Sequence, residues 1–408
     1  STPSNSSAAS DVYKRQPEHQ LEMMGEEISR QYKVSLSRQT YEEYFARIKS
    51  GDPSKLVVII DEAQFVAKRD ASFMEAVAKL KKHKLYPGPV LIILATSSTV
   101  WATQEAAEQF KGAKMKIESL NFLEVVRHFE SLPVAEIVRI YGAIGGVPAY
   151  LDKWDAAKSF KDNICRLVLT PSGALYGEAD AVISSELREL SAYSTILAAI
   201  ARGENKLNDI FHATGFSRAK ISVYLKNLAT FNIVEKVVSF ETGGWENAKK
   251  GVYQIKDTFV NFWFKFVYPN MSNLYLLSPE EFYDTYIEKE LDAYLERYFR
   301  EVCTEYLLIL NQMGQLPFTI KRVGTWIGKT GRIDIVAQSE DRRSIIGFCN
   351  WDKPMMTMDM CENMAMAMDQ ARLTSDDYYL FSATDFEPAL QSYVVRDPRF
   401  KLINMNEL

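Results

Sequence analysis

The stretch Leu56–Gln64, with the sequence LVVIIDEAQ, decides the fold of the chain around it. Its first five residues are apolar and four of them are β-branched, which predicts a strand buried on both faces, as in a parallel sheet. Two carboxylates, Asp61 and Glu62, follow where this strand ends. Ligands of open α/β sheets bind outside the carboxyl ends of the strands, so these two residues are predicted to lie at a binding edge.

The two acidic residues have the form of a Walker B motif. In such a motif, Asp61 holds Mg²⁺ directly or through water, and Glu62 orients and deprotonates the water that attacks ATP. The alternative is a core strand that meets solvent at an acidic turn, and the pattern alone leaves this alternative open.

A second buried strand is predicted at Val90–Ala95, after an amphipathic helix at Ala71–Lys84. Strand, helix and strand at this spacing form a βαβ unit. The hydroxyl residues that follow the second strand include Ser97 and Ser98, either of which is a candidate sensor of the γ-phosphate. A helix N-cap is the competing interpretation. A further short strand is predicted at Met115–Leu120.

The bulk composition is that of an ordinary soluble globular chain. Its 408 residues are 47% hydrophobic and 25% charged, enough for two or three domains. The net charge of −5 argues against a polycation that coats nucleic acid, but permits one basic face. Four cysteines without a CxxC pair argue against structural zinc and favour a reducing compartment. No run approaches the ~20 apolar residues that span a bilayer, so a cytoplasmic protein without membrane contact is expected.

A phosphate-binding loop, GxxxxGK[ST], should precede a Walker B strand, and the chain contains none. The opening residues 1–16, STPSNSSAASDVYKRQ, are Ser-rich and lack periodicity, so they are predicted to be disordered or non-native. These two observations favour an N-terminally truncated chain whose ATP site is incomplete.

Three motifs together resemble the archaeal-type ATPase family, a branch of the STAND/AAA+ P-loop NTPases: LVVIIDEAQ, LIILATSS and YGAIGGVPAYL. The resemblance covers about residues 25–385. It implies an α/β multidomain fold with a partial P-loop core at 17–155, a helical region with a winged helix at 156–270, and a nuclease-like domain at 271–408. It also implies that ATP and Mg²⁺ bind at Asp61, that Glu62 is catalytic, and that Ser97 or Ser98 is the sensor.

Residues 186–256 have the pattern of a winged helix-turn-helix. A helix, a short helix, a Gly turn and a third helix at 217–231 precede two strands, at 233–240 and 252–255. Cations suited to DNA phosphates lie in the third helix and the wing: Arg218, Lys220, Lys226, Lys249 and Lys250. A structural or nucleotide-sensing lid is the alternative role for this unit.

The aromatic stretch Tyr253–Asn270 is interpreted as a packing helix, with a base-stacking platform as the alternative. The methionine-rich segment 355–368 is likewise interpreted as a packing helix.

The C-terminal region resembles the PD-(D/E)XK nuclease fold. A long helix at Tyr283–Leu310 is predicted to precede strands at 318–323, 332–337 and 344–349. Asp334 matches the metal-binding aspartate, but Phe348 and Asn350 stand where relatives usually have Glu and Lys. Metal-dependent cleavage needs clustered carboxylates and a lysine, so the site is predicted to be degenerate.

The favoured hypothesis is an ATP-binding and ATP-hydrolysing switch. The first alternative is a regulator that binds double-stranded DNA through its winged helix and has a vestigial ATPase core. The second is an active nuclease. A homo-oligomer or a protein partner is compatible with each of them.

Overall fold

The computed structural model describes the ranges 17–32, 40–48, 56–82, 88–98, 100–106, 111–184, 187, 189–240, 251–328 and 331–408. They form a mixed α/β fold with several small sheets, and the chain divides into two compact units, residues 1–116 and 117–408. The predicted segment 1–16 and the wing residues Lys249 and Lys250 lie outside the described ranges. Within those ranges, no helix combines the length and apolarity needed to cross a bilayer.

The first unit is built on two parallel strands, β1 (Leu56–Ile60) and β2 (Val90–Leu94). Its helices are α1 (Pro17–Tyr32), α2 (Tyr41–Arg47), α3 (Ala63–Ala67) and α4 (Ala71–Lys81). Helix α4 begins at Asp70, whose side chain accepts a hydrogen bond from Ser72 N, and it ends three residues before the predicted Lys84. The order β1, α4, β2 with parallel strands is the predicted βαβ arrangement.

The prediction that β1 is buried on both faces is wrong. Leu56 and Val58 are buried among α2, α4 and the side chain of Trp101. The intervening residues Val57 and Ile59 are 50% and 67% exposed, and their partners in β2 are also exposed. Successive side chains of a strand point to opposite faces, so a single helical layer covers only one of them.

An irregular segment spans the boundary between the two units. Met115 and Ile117 are 85% and 81% exposed, and residues 111–121 form no strand. The predicted strand at Met115–Leu120 is therefore wrong, because a short apolar run forms a stable strand only where another strand pairs with it.

Helices then dominate up to residue 230. They are α5 (Phe122–His128), α6 (Val134–Ile144), α7 (Pro148–Leu151), α8 (Phe160–Ile164), α9 (Glu178–Ser184), α10 (Leu190–Ala201), α11 (Leu207–Thr214) and α12 (Arg218–Thr230). Gly215, at φ +70°, ends α11, and Ser217 begins α12 by accepting a hydrogen bond from Lys220 N. Strands β3 (Val234–Val237) and β4 (Val252–Ile255) then pair antiparallel.

The aromatic stretch forms α13 (Thr258–Phe262) and a π-helical turn, Trp263–Val267. Five of the seven rings in the predicted stretch are at most 2% exposed: Phe259, Phe262, Trp263, Phe264 and Phe266. The packing interpretation is confirmed for these five rings, because a buried ring has no face open to a base. Tyr253 and Tyr268 are half-buried.

The C-terminal region contains α14 (Met271–Leu274), α15 (Pro279–Tyr286), α16 (Glu288–Gln312), α17 (Met358–Ala371) and α18 (Pro388–Arg396). Its strands are β5 (Arg322–Ile327), β6 (Arg332–Gln338), β7 (Ser344–Asn350), β8 (Met355–Met356), β9 (Asp377–Ser382), β10 (Asp385–Phe386) and β11 (Phe400–Asn404). A five-stranded sheet has the order β11-β9-β7-β6-β5, with β9 parallel to both neighbours and β6 antiparallel to both of its own. Two predicted elements have different bounds in the structure. The single long helix predicted at Tyr283–Leu310 is divided into α15 and α16, and the strand predicted at 318–323 corresponds to β5, which begins at Arg322.

Helix α16 makes polar contacts with α6, β4 and α5 of the second unit. Tyr294 Oη donates to Gly142 O in α6, at 3.0 Å. Arg297 Nη1 donates to Ile255 O in β4, at 2.8 Å. The Glu305 carboxylate accepts hydrogen bonds from the first two amides of α5, at 3.0 and 3.1 Å. Carboxylates stabilise helix N-termini, so this contact fixes where α5 begins.

The hairpin of β3 and β4 is joined to the edge of the five-stranded sheet. Phe240 N donates to Thr325 O, and Ile327 N donates to Ser239 Oγ, each at 2.9 Å. The predicted strand 233–240 is therefore shorter than expected, because its last residues leave β4 and bond to β5.

The turn between α6 and α7 depends on Gly146. Leu120 N donates to Gly146 O at 2.8 Å, and a Cβ at residue 146 would lie 1.8 Å from Leu120 O. The clash would be between the new Cβ and the backbone oxygen of Leu120. The two backbones could separate only by losing the hydrogen bond from Leu120 N to Gly146 O.

We expect Gly146→Ala to lower the free energy of unfolding by about 1–3 kcal/mol or more, as forced overpacking does. Urea denaturation measures the change. Gly177→Ala is the matched control, because a Cβ there meets nothing within 4 Å, and it should stay near the wild-type value. Equal effects of the two substitutions would contradict the packing argument.

Candidate functional site

Parallel pairing of β1 and β2 brings two distant segments together at one sheet edge. Asp61 and Glu62 leave β1 after Ile60, and Ser97 lies three residues after Leu94, which pairs with Ile60. The Ser97 hydroxyl donates to Glu62 Oε2 at 2.9 Å, and Ser97 N donates to the same oxygen at 3.1 Å. The predicted proximity of these side chains is therefore present.

Glu62 has a strained backbone. Its φ and ψ are 49° and 41°, in the left-handed region, where a residue other than glycine costs on the order of 1–3 kcal/mol. Hydrogen bonds hold the neighbouring backbone, from Ala63 N to Ala95 O at 3.0 Å and from Ala95 N to Ile60 O at 2.9 Å. Such strain is common at functional sites, and Glu62 shares its positive φ with Asn232, Arg342 and Arg372 among the described residues.

Asp61 is exposed and offers an oxygen for a cation. Its Oδ1 accepts a hydrogen bond from Glu62 N at 2.9 Å, and within the described ranges Oδ2 accepts none. Mg²⁺ keeps several waters and uses one or two protein carboxylates together with substrate phosphates. A single exposed carboxylate at a sheet edge fits this mode of binding.

Ser98 is placed differently from Ser97. It is 2% exposed, and its Oγ accepts a hydrogen bond from Trp101 N, at 3.3 Å, at the start of the π-helical turn Trp101–Glu105. Its side chain therefore caps a helical segment, and Ser97 is the hydroxyl that reaches Glu62.

Two residues of the site were missed by the motif reading. Gln64 is 3% exposed and donates to both Glu62 Oε2 and Ser97 Oγ, and Thr96 donates to Gln64 Oε1. The sequence does contain an indication of both residues: Gln64 is the polar residue that ends LVVIIDEAQ, and Thr96 is the first of three hydroxyl residues, Thr96–Ser98, that follow β2. Their contacts depend on the pairing of two strands, which a linear motif does not describe.

Asp334 lies at a second candidate site, in β6 of the C-terminal sheet. Its Oδ1 accepts hydrogen bonds from Arg300 Nε at 3.1 Å and Arg332 Nε at 2.9 Å. Its Oδ2 accepts from Cys349 N at 3.0 Å. Both carboxylate oxygens are therefore occupied by donors, and the two guanidinium groups neutralise the charge that would attract a metal ion.

Among the described residues, the groups around Asp334 do not form a set of metal ligands. Burial, followed by contact with the Cys349 thiol, raises the pKa of Cys303 well above its usual value, which keeps this thiol protonated. In the ranges that the structure describes, no three His, Cys, Asp or Glu residues are grouped to hold a metal ion.

The other two predicted positions of this site are structural. Phe348 packs against the apolar cluster beneath α17 and α18, and Asn350 is 2% exposed. Asn350 Nδ2 donates to Ser382 Oγ at 3.1 Å and to Lys353 O at 3.2 Å. These contacts tie the end of β7 to β9 and to the loop that follows β7.

Helix α12 presents a third candidate surface. Arg218 and Lys226 are exposed, and the sequence RAKISVYLKNLAT contains no acidic residue. The Arg218 guanidinium lies 4.2 Å from the centre of the Phe211 ring, and the Lys220 amine lies 4.4 Å from that of Phe216. The Phe211 and Phe216 rings thus hold Arg218 and Lys220, two of the three predicted cations of α12, close to the helix surface.

Comparisons with known proteins show similarity to a family and to a protein without an assigned activity. A family described as archaea bacterial proteins of unknown function matches residues 263–366. An uncharacterised protein of Methanocaldococcus jannaschii is 28% identical over 326 residues, 78% of this chain and 71% of that protein. A crystal structure of a Vibrio cholerae protein is 13% identical over 87% of this chain and 88% of that one. Its TM-score of 0.21 is too low to indicate a shared fold.

We expect Asp334→Ala to lower the free energy of unfolding by about 3–5 kcal/mol, because it leaves the buried Arg300 guanidinium without its partner. Urea denaturation measures the loss. Asp369→Ala, on the exposed face of α17, is the matched control and should change stability by less than about 0.5 kcal/mol.

The same variant separates a structural aspartate from a catalytic one. Cleavage of DNA that requires Mg²⁺ or Mn²⁺ and is lost in an Asp334→Ala protein that remains folded under the assay conditions would contradict the structural assignment.

Proposed function

We propose that the protein is an ATP-binding and ATP-hydrolysing switch of the archaeal-type P-loop ATPase class. The observation that carries the proposal is the carboxyl edge of β1 and β2, where Asp61, Glu62 and Ser97 meet. An exposed carboxylate beside a strained, hydrogen-bonded glutamate has the chemistry that a Walker B pair requires.

Each residue has a distinct role in this proposal. Asp61 holds Mg²⁺, which, when bound, neutralises charge on the phosphates of ATP. Glu62 Oε2 accepts three hydrogen bonds from Gln64 and Ser97. Within the described ranges, its Oε1 accepts none, so that oxygen is free to take a proton from water.

Ser97 links Glu62 to the nucleotide in this proposal. Its hydroxyl already donates to Glu62 Oε2, so a phosphate that competes for that hydroxyl alters the position of the carboxylate. A contact that differs between the ATP and ADP states is what shifts a population of conformations.

The winged helix and the nuclease-like domain form the output region in this proposal. The bonds from Phe240 and Ile327 join the β3–β4 hairpin to β5, which favours movement of these parts together. The occupied carboxylate of Asp334 supports a binding or packing role for the nuclease-like domain.

A second candidate function is binding of double-stranded DNA through α12. It is favoured by α12, which carries the exposed Arg218 and Lys226 and contains no acidic residue. Cations that neutralise phosphates supply affinity that depends on salt and little on base sequence.

We expect Glu62→Gln to lower ATP turnover by about 100-fold or more, because it removes the proton acceptor and keeps the shape. The assay measures phosphate release by the protein expressed from its complete reading frame. Glu75→Gln makes the same chemical change at an exposed position of α4 and should retain the wild-type rate. Equal rates for Glu62→Gln and the wild type would reject the assignment.

We expect Arg218→Ala and Lys226→Ala each to weaken duplex binding and to reduce the slope of log affinity against log salt by about 1. Fluorescence anisotropy with duplexes of several sequences measures both quantities. Lys289→Ala, an exposed lysine of α16, is the control. Absence of measurable duplex affinity at low salt would eliminate this second function.

A further inference from the structure

Gln64 is a buried polar residue at the carboxyl edge. It lies in the first turn of α3 and is 3% exposed. Its Nε2 donates to Glu62 Oε2 at 2.5 Å and to Ser97 Oγ at 3.1 Å. A buried amide is costly unless its groups are paired, so its pairing with both proposed site residues requires an explanation.

The orientation of this amide is fixed by the Glu62 carboxylate. An ionised carboxylate only accepts hydrogen bonds, so Gln64 must turn its NH₂ group towards Glu62 and Ser97. Its oxygen then faces β2, where Thr96 Oγ1 donates to Gln64 Oε1 at 2.6 Å and accepts from Ser98 N at 3.0 Å.

We propose that Gln64 is the positioning residue of the hydrolytic site, holding the Glu62 carboxylate and the Ser97 hydroxyl in one arrangement. The inference rests on the proposed function. Gln64 is buried and acts through Glu62, so it contacts neither ATP nor the attacking water.

This role predicts a specific kinetic change. Misplacement of a catalytic group by about 1 Å costs on the order of 100-fold in rate without a matching loss of substrate binding. Gln64→Leu, which keeps the size and removes the amide, should lower kcat by roughly 10- to 100-fold. The KM for MgATP should remain within about twofold, because no contact with the nucleotide is removed.

Two substitutions of Thr96 test its hydrogen bond to Gln64 with less disturbance of the fold. Thr96→Val removes the donor to Gln64 Oε1 and keeps the shape, and it should lower kcat by roughly 2- to 10-fold. Thr96→Ser keeps the hydroxyl and should restore the wild-type kcat. If the two residues act through one amide, Gln64→Leu combined with Thr96→Val should be no slower than Gln64→Leu alone.

The experiment measures kcat and KM for this series in the protein expressed from its complete reading frame, with thermal melting of every variant. Gln104→Leu, at an exposed position of the same unit, is the matched control and should match the wild type. If Gln64→Leu does not fold, the comparison of Thr96→Val with Thr96→Ser decides the matter.

Two failures are distinguishable. Turnover that Glu62→Gln abolishes, but that Gln64→Leu and Thr96→Val leave at the wild-type kcat, overturns the role of Gln64 and leaves the proposed function standing. Thr96→Ser as slow as Thr96→Val also overturns it, because the hydroxyl then does not matter. Turnover that is indifferent to Glu62→Gln overturns the proposed function and this inference together.

Discussion

Arg300 of helix α16 and Asp334 of strand β6 form the ion pair that fixes α16 against the C-terminal sheet. Their side chains are only 16% and 9% exposed, so either charge left alone would carry a large desolvation cost. Asp334 also accepts a hydrogen bond from Cys349 N, which extends the contact to β7. From this fixed position, other side chains of α16 reach α5, α6 and β4. The arrangement of residues 117–408 therefore depends on polar contacts as well as on its apolar core.

Comparison of the two carboxylate sites supports placing the proposed activity in the first unit. The Asp334 carboxylate is closed by two guanidinium groups and a backbone amide. Asp61 is exposed, and its only hydrogen bond within the described ranges is to the next residue. A carboxylate that binds a cation or activates water needs an accessible oxygen. A buried carboxylate that stabilises a fold needs hydrogen-bond donors for both of its oxygens. The proposed function therefore rests on the first unit.

Sequence periodicity and turn signals located most elements correctly. Strand β4 has the predicted bounds, and α12 follows its predicted Ser217 cap within one residue at each end. The wrong predictions concern burial and strand formation, which depend on the elements that pack or pair with a segment. Ile59 is apolar yet exposed, because one helical layer covers only one face of β1. The run at Met115–Leu120 has strand composition, but strand formation also requires a partner.

The sequence by itself determined the local elements and the placement of two carboxylates at the end of a strand. Backbone propensity, capping residues and apolar periodicity act over a few residues, so they are readable along the chain. Only the tertiary structure decided that Ser97 reaches Glu62 while Ser98 caps a turn, and that Gln64 lies between two strand ends. It also decided that arginines close the Asp334 site. The contacts of Glu62 with Ser97 and of Arg300 with Asp334 join residues more than 30 positions apart, which become neighbours only when the chain folds.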